Sequence, residues 1–229
     1  MAASCSGADS RAVAAPGLSA ERPAQPRLAP DAQIWRDEAR GTIRLLRAAN
    51  LSQSLEADPE FSALQAANRF ADVALAFVTA HHALFGLERP GDELRVRSVT
   101  TDDLGLKHVR LQQGFAGLPV WGAELNVHLD RANHVYLAQG RYVRTPSRLA
   151  TTPRLGTEEA RRYAATAVSG AAPDCRGCRS ELVIFVGADE QARLAYRVLV
   201  EVSLADAWAV MVDADRGAIL DKISTVLQR

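Results

Sequence analysis

The sequence predicts an α+β fold of two modules, each a helix packed on an antiparallel sheet. Three observations lead there. From Asp58 to Val78 apolar residues recur at threes and fours, which is one buried helical face. From Leu94 the period drops to two and stays there through several strand-length runs. The same order, helix and then strands, returns after Thr157. With 229 residues, 48% of them hydrophobic, the chain has enough apolar surface to bury a core in each module.

The elements come in this order. Residues 1–30, rich in Ala, Pro, Ser and Arg, show no hydrophobic period and are expected to form a disordered lead-in. Ile34, Ile43, Leu45, Leu46 and Leu51 suggest a short helix interrupted by Gly41. Asp58 is a helix cap and Pro59 suits a first turn, so a stronger helix starts there. Phe61, Leu64, Ala67, Ala71, Ala74, Leu75 and Val78 form its apolar face, and Gly86 ends it. Leu94, Val96, Ser98 and Thr100 then alternate with their neighbours; Val109 and Leu111 point inward on the next strand. Leu125, Val127 and Leu129 occupy one face of a third strand, opposite Glu124, Asn126, His128 and Asp130. Asn133 turns the chain into a fourth strand, completing an antiparallel meander; the first module is expected over residues 31–145. The second, residues 146–229, opens with Thr157 as the expected cap and Glu158 and Glu159 in the first turn. Strands are expected at residues 181–186, 193–202, 207–213 and 219–226.

Composition narrows the function classes. Acidic and basic residues balance at 27 each, against the basic excess that nucleic-acid binding requires. No run approaches the ~20 apolar residues of a membrane-spanning helix. Residues 1–10 hold no apolar core, so no intact signal peptide is visible, although Ala2-Ala3-Ser4-Cys5 is faintly similar to the end of a lipoprotein signal. Cys175 and Cys178 form a CxxC between a Gly-Ala-Pro turn and a strand. Neither a thioredoxin-like context nor a second ligand pair accompanies it, which favours a small loop, closed by a local disulfide if the protein is exported.

One stretch is specific. It runs Asp103-Leu104-Gly105-Leu106-Lys107-His108-Val109-Arg110-Leu111-Gln112-Gln113, then Gly117-Leu118-Pro119-Val120-Trp121-Gly122-Ala123-Glu124-Leu125 and Val127-His128-Leu129-Asp130. It closely resembles the fungalysin/thermolysin propeptide (FTP) domain. The tail from Thr157, through Leu194-Ala195-Tyr196-Arg197-Val198, Trp208 and Val212-Asp213-Ala214-Asp215-Arg216-Gly217, resembles the PepSY module that follows FTP in thermolysin-like precursors. The resemblance covers roughly residues 60–226. It implies the propeptide of a secreted or envelope metallopeptidase, whose partner is the protease's catalytic domain, in cis or in trans. Such a pro-region assists folding of the protease and covers its cleft. The alternative reading is a free-standing FTP/PepSY-type binding module or inhibitor.

No catalytic machinery stands out, and no cofactor is expected. A thermolysin-type site needs His-Glu-x-x-His, and His81, His82, His108, His128 and His134 include no such pair. His81 and His82 are adjacent, about 100° apart on a helix, and are expected at a partly exposed helix end. His108 and His128 fall on the polar faces of neighbouring strands. Asp102 and Asp103 precede Leu-Gly and read as turn formers. The expected protease contacts are Arg110, Gln112, Asn126 and His128 on the polar sheet face. Ser224, Thr225, Val226 and Leu227 are expected in an extended segment entering the cleft.

Overall fold

The structure, a computed structural model, describes residues 27–146, 148–170, 178–203 and 206–225. It is α+β, as the sequence predicts. Strands β1 (Gln33–Asp37) and β2 (Thr42–Arg47) are followed by helices α1 (Pro59–Ala66), α2 (Phe70–Ala80), α3 (His82–Phe85) and α4 (Pro90–Glu93). Then come β3 (Leu94–Thr101), β4 (Lys107–Phe115), β5 (Leu118–Leu129) and β6 (Val135–Arg141). Helix α5 (Thr157–Ser169) precedes β7 (Arg179–Val186), β8 (Ala192–Ser203), β9 (Asp206–Asp213) and β10 (Ile219–Ser224).

The first six strands pair antiparallel in the order β1-β2-β6-β5-β4-β3. The last four form an antiparallel meander, β7-β8-β9-β10. One parallel pairing, Val120 of β5 with Ile184 of β7, joins the two sheets. Val109, Leu111, Leu125, Val127 and Ala138 line the inner face of the first sheet. Val73, Ala74, Phe77 and Val78 of α2 are buried in the same core. On the second sheet, Ala160 and Ala164 of α5 share that core with Tyr196, Val198, Val210 and Val212. Small side chains on the helix let it lie close on the strands.

Several local expectations hold for the stated chemical reasons. Asp58 Oδ1 accepts from Glu60 N at 2.8 Å, capping α1, and Pro59 is its first residue. Gly86 has φ +70° and ends α3. Asn133, at φ +68°, turns the chain between β5 and β6.

Others are corrected. Residues 34–51 form no helix: they hold the β1–β2 hairpin, with Gly41 at φ +60° in its turn. The three-residue step from Ile43 to Leu46 imitates a helical face, but a bulge between Trp35 and Arg36 and pairing of β2 with β6 decide for strand. The long helix expected to run to Gly86 is three helices. Asn68 takes a left-handed φ of +55°, which stops α1 and lets α2 set off on a new axis. The expected cap Thr157 lies inside α5; Gly156 is the cap, and Glu159 Oε2 accepts from its N–H at 3.2 Å. On β3 only Leu94 is buried, because this strand is the sheet's edge. His81 is buried, not exposed: its Nδ1–H donates to Phe77 O at 3.0 Å and its ring lies 4.7 Å from the Phe77 ring.

Candidate functional site

The outward face of the first sheet gathers the polar residues that strand alternation assigned to it. Cross-strand register places His108 opposite His128, Arg110 opposite Asn126 and Gln112 opposite Glu124. On the next strand Asn126 meets Gln139 and Glu124 meets Arg141. Antiparallel pairing with period two puts all of these side chains on one side of the pleat.

Three of the four sheet residues expected to contact a partner sit here in contrasting settings. Arg110 is 57% exposed and lies 3.5 Å from Glu124 Oε2. An exposed pair at that distance contributes only ~0–1 kcal/mol, so Arg110 is readily available to another carboxylate. Asn126 is half-buried beside it. His128 is half-buried and joined to His108. The fourth, Gln112, is turned to internal use. A bulge in β5 places residues 120–123 opposite Gln113, and Gly122 takes φ +67° there. The Gln112 amide nitrogen donates to Val120 O and Ala123 O, both at 2.9 Å, and so holds the two sides of the bulge together.

The histidines form a directed chain. His108 Nδ1 and His128 Nδ1 are 2.6 Å apart, His108 Nε2 is 3.1 Å from Asp102 Oδ2, and His128 Nε2 is 3.4 Å from the Gln139 amide nitrogen. One assignment satisfies all three contacts with both rings neutral: Gln139 donates to His128, His128 to His108, and His108 to Asp102. Asp102 also accepts from Leu104 N and Leu106 N at 2.9 Å each, so it is the turn former expected. The Leu106 N–H foremost, then His108 and the Leu104 N–H, hold its carboxyl below its ordinary value and keep it an anion. Placing a second proton between the Nδ1 atoms would set two N–H groups against each other at 2.6 Å.

Burial, and then the neighbouring His108, push the His128 imidazole below its ordinary value of 6.5. Burial does the same to His81. A histidine with a depressed folded value binds more protons when unfolded. Its stabilising contribution is complete above 6.5 and is lost as pH falls below it. Between about pH 7.5 and about pH 5 the wild type is therefore expected to lose more melting temperature than His128→Gln. Thermal melts of both proteins across that range check this; superimposable profiles would count against a titrating His128.

Elsewhere, His134 Nδ1 is 3.2 Å from Asp130 Oδ2 and its Nε2 is 3.5 Å from Glu56 Oε1, a surface contact. Among the described residues no group of three or more His, Cys, Asp or Glu side chains is arranged to hold a metal ion. Ser224 pairs with Trp208 at the end of β10, and Thr225 N donates to Ala207 O at 2.8 Å. Val226 and Leu227 lie outside the described residues. Cys178 is disulfide-bonded; Cys5 and Cys175 lie outside the described residues. No described helix is long and apolar enough to cross a membrane.

Comparison with known proteins falls on this same region. Residues 92–142, which span α4 to β6, match the family described as the Fungalysin/Thermolysin Propeptide Motif. A Bacillolysin of Bacillus amyloliquefaciens is 31% identical over 147 residues, covering 60% of this chain and 28% of that protein. A Bacillolysin of Brevibacillus brevis is 28% identical over 158 residues, 59% of this chain and 29% of that protein. The match lies in the N-terminal propeptide region of such relatives. This chain thus spans less than a third of the length of the curated relatives it matches. Among solved structures, the Bacillus megaterium YpeB C-terminal domain aligns at 14% identity with a TM-score of 0.37, over 71% of this chain and 65% of that one. So loose an overlap supports no functional conclusion.

Proposed function

We propose that the chain, which carries a fungalysin/thermolysin propeptide motif at residues 92–142, is the pro-region of a secreted thermolysin-like metallopeptidase, where it assists folding and inhibits the catalytic domain. The carrying observation is that match, which coincides with the β4–β5–β6 face. We assign residues 31–145 to an FTP-like module and 146–229 to a PepSY-like one, after a lead-in at 1–30. The single backbone pairing between the two sheets supports a division near 145.

Physical argument supports a folding template on this face. A template has to be rigid before its partner is, and His108, Asp102, His128 and Gln139 are tied together across three strands and a turn. Arg110, Asn126 and His128 then offer a cation, an amide and an imidazole at set spacing on a half-exposed surface. Inhibition uses a different segment, at the end of the second sheet. The edge strand β10 leads into the segment that starts at Ser224 and Thr225, and an extended segment laid in a protease cleft gains main-chain hydrogen bonds.

The test is direct. Adding the purified chain at about micromolar concentration to a mature thermolysin-type protease should slow hydrolysis of a chromogenic peptide, with affinity in the range typical of protease–inhibitor surfaces. Arg110→Ala with Asn126→Ala should weaken inhibition without lowering the chain's melting temperature, since both side chains lie on the outer face. Undiminished hydrolysis with the chain in excess would remove the inhibitor role.

A further inference from the structure

We propose that the cleft where the two sheets part binds an extended acidic peptide segment of a partner protein. This inference stands apart from the pro-region reading. The sheets share β5, but β7 meets it at one position, Val120 with Ile184. Beyond Ile184 that edge of β7 has no strand beside it among the described residues, and two adjoining cavities of about 420 and 440 Å³ open there. They share Arg40, Val143 and Val186 as lining, so they form one groove. An open strand edge beside a groove invites an added strand.

The charge of the groove selects the peptide. Its lining holds four arginines, Arg40, Arg141, Arg144 and Arg148, against two carboxylates, Glu190 and Asp221. Arg40 is already satisfied: its guanidinium lies 3.1 Å from Asp37 and 3.0 Å from Glu190, with the side chain only 12% exposed. That clip ties the β1–β2 turn to the β7–β8 turn and forms part of the floor. Arg141, Arg144 and Arg148 are exposed and make no ion pair among the described residues. Arg141 ends β6, and Arg144 and Arg148 follow on the stretch that leaves it.

This stretch is held in place although it belongs to no strand. The buried Gln113 side chain behaves as a backbone partner: its amide nitrogen donates to Val143 O at 2.7 Å and its oxygen accepts from Val143 N at 2.9 Å. Thr145 N donates to Gly86 O at 3.1 Å, and Thr145 Oγ1 donates to the buried Glu93 at 2.6 Å. Arg144, between these two anchors, lies against Gly41 and Gly86. A Cβ at Gly86 would stand 3.1 Å from its Cγ and 3.3 Å from its Nε. A cation whose backbone is anchored on both sides and which has no carboxylate partner among the described residues is available to one from outside.

The groove also carries an apolar wall, Phe185, Leu220 and Ile223, which suits one large apolar side chain among the acidic ones. Nucleic acid fits less well. The Trp121 ring that would stack a base is covered by the Arg197 guanidinium, 4.3 Å from its centroid.

The probe is a fluorescein-labelled octapeptide of alternating Glu and Asp with one central Leu, titrated into the full chain at low salt and followed by anisotropy. Saturable binding is expected, weakened about tenfold or more by R141A/R144A/R148A, as three exposed ion pairs at up to ~1 kcal/mol each allow. A control that removes the same charge elsewhere, R95A/R97A/R179A, should change affinity less than about twofold. Amide shifts in a parallel NMR titration of the wild type should concentrate at residues 140–148 and 185–190. Equal losses in both triple variants, shifts centred elsewhere, absence of binding, or tighter binding of an oligothymidine would each overturn the proposal.

Discussion

Gly140→Ala is expected to cost ~3 kcal/mol or more, which is the upper end of what overpacking does to a filled interior. Gly140 pairs with Leu125 between β6 and β5. A Cβ there would lie 2.2 Å from Glu124 O and 2.9 Å from Leu125 Cα. Both are backbone atoms, so no side-chain rotation relieves the clash and the strands must separate. The loss would be a large share of the ~5–15 kcal/mol that holds a domain folded. Urea denaturation should show a lower midpoint at nearly unchanged slope. Gly122→Ala is the informative contrast. Gly122 sits at φ +67° but nothing lies within 4 Å of its Cβ position, so only the left-handed backbone cost of ~1–2 kcal/mol applies. If the two variants lost the same stability, contact with β5 would not be the cause.

Phe77→Ala is expected to cost ~3–5 kcal/mol, because it removes a fully buried aromatic ring from the centre of the helix–sheet core. Phe77 meets Phe85 edge to face, with ring centroids 6.1 Å apart, and covers the His81 ring. The substitution thus opens α2 to α3 as well as to the sheet. Phe77→Leu, which keeps most of the volume, should cost no more than ~1.5 kcal/mol. Equilibrium denaturation of the pair measures the difference. A Phe77→Ala loss below ~1.5 kcal/mol would mean that this core collapses around the gap.

Much of this architecture is legible along the chain. The Asp58-Pro59 start of α1, the Asn133 turn and the alternation of Val109, Leu111, Leu125 and Val127 depend on neighbours a few residues away. So does the conversion of Asp102 into a turn former, through its bonds to Leu104 N and Leu106 N. The β1–β2 hairpin is different. Its strand character comes from β6, some ninety residues on, and the apolar spacing of Ile43 and Leu46 alone favours a helix. His81 misleads for a similar reason: polarity and its place beside His82 suggest an exposed end, whereas Phe77 buries it.

The candidate surface divides in the same way. Strand period alone places Arg110, Asn126 and His128 on a common outer face, because side chains in a pleated strand have no other choice. It says nothing about register, and register brings His108 within 2.6 Å of His128 while sending Gln112 into the β5 bulge. The arginine cleft lies beyond sequence reasoning for the same cause. Arg40, Arg141, Arg144 and Arg148 come from a turn and from the stretch leaving β6, and they line one groove only because the sheets share β5 and then part. Helix caps, turns and alternating faces arise from interactions within a few residues, so local chemistry was enough for them. Strand register, the bulge and the groove depend on pairings between distant segments, whose geometry exists only once the chain has folded.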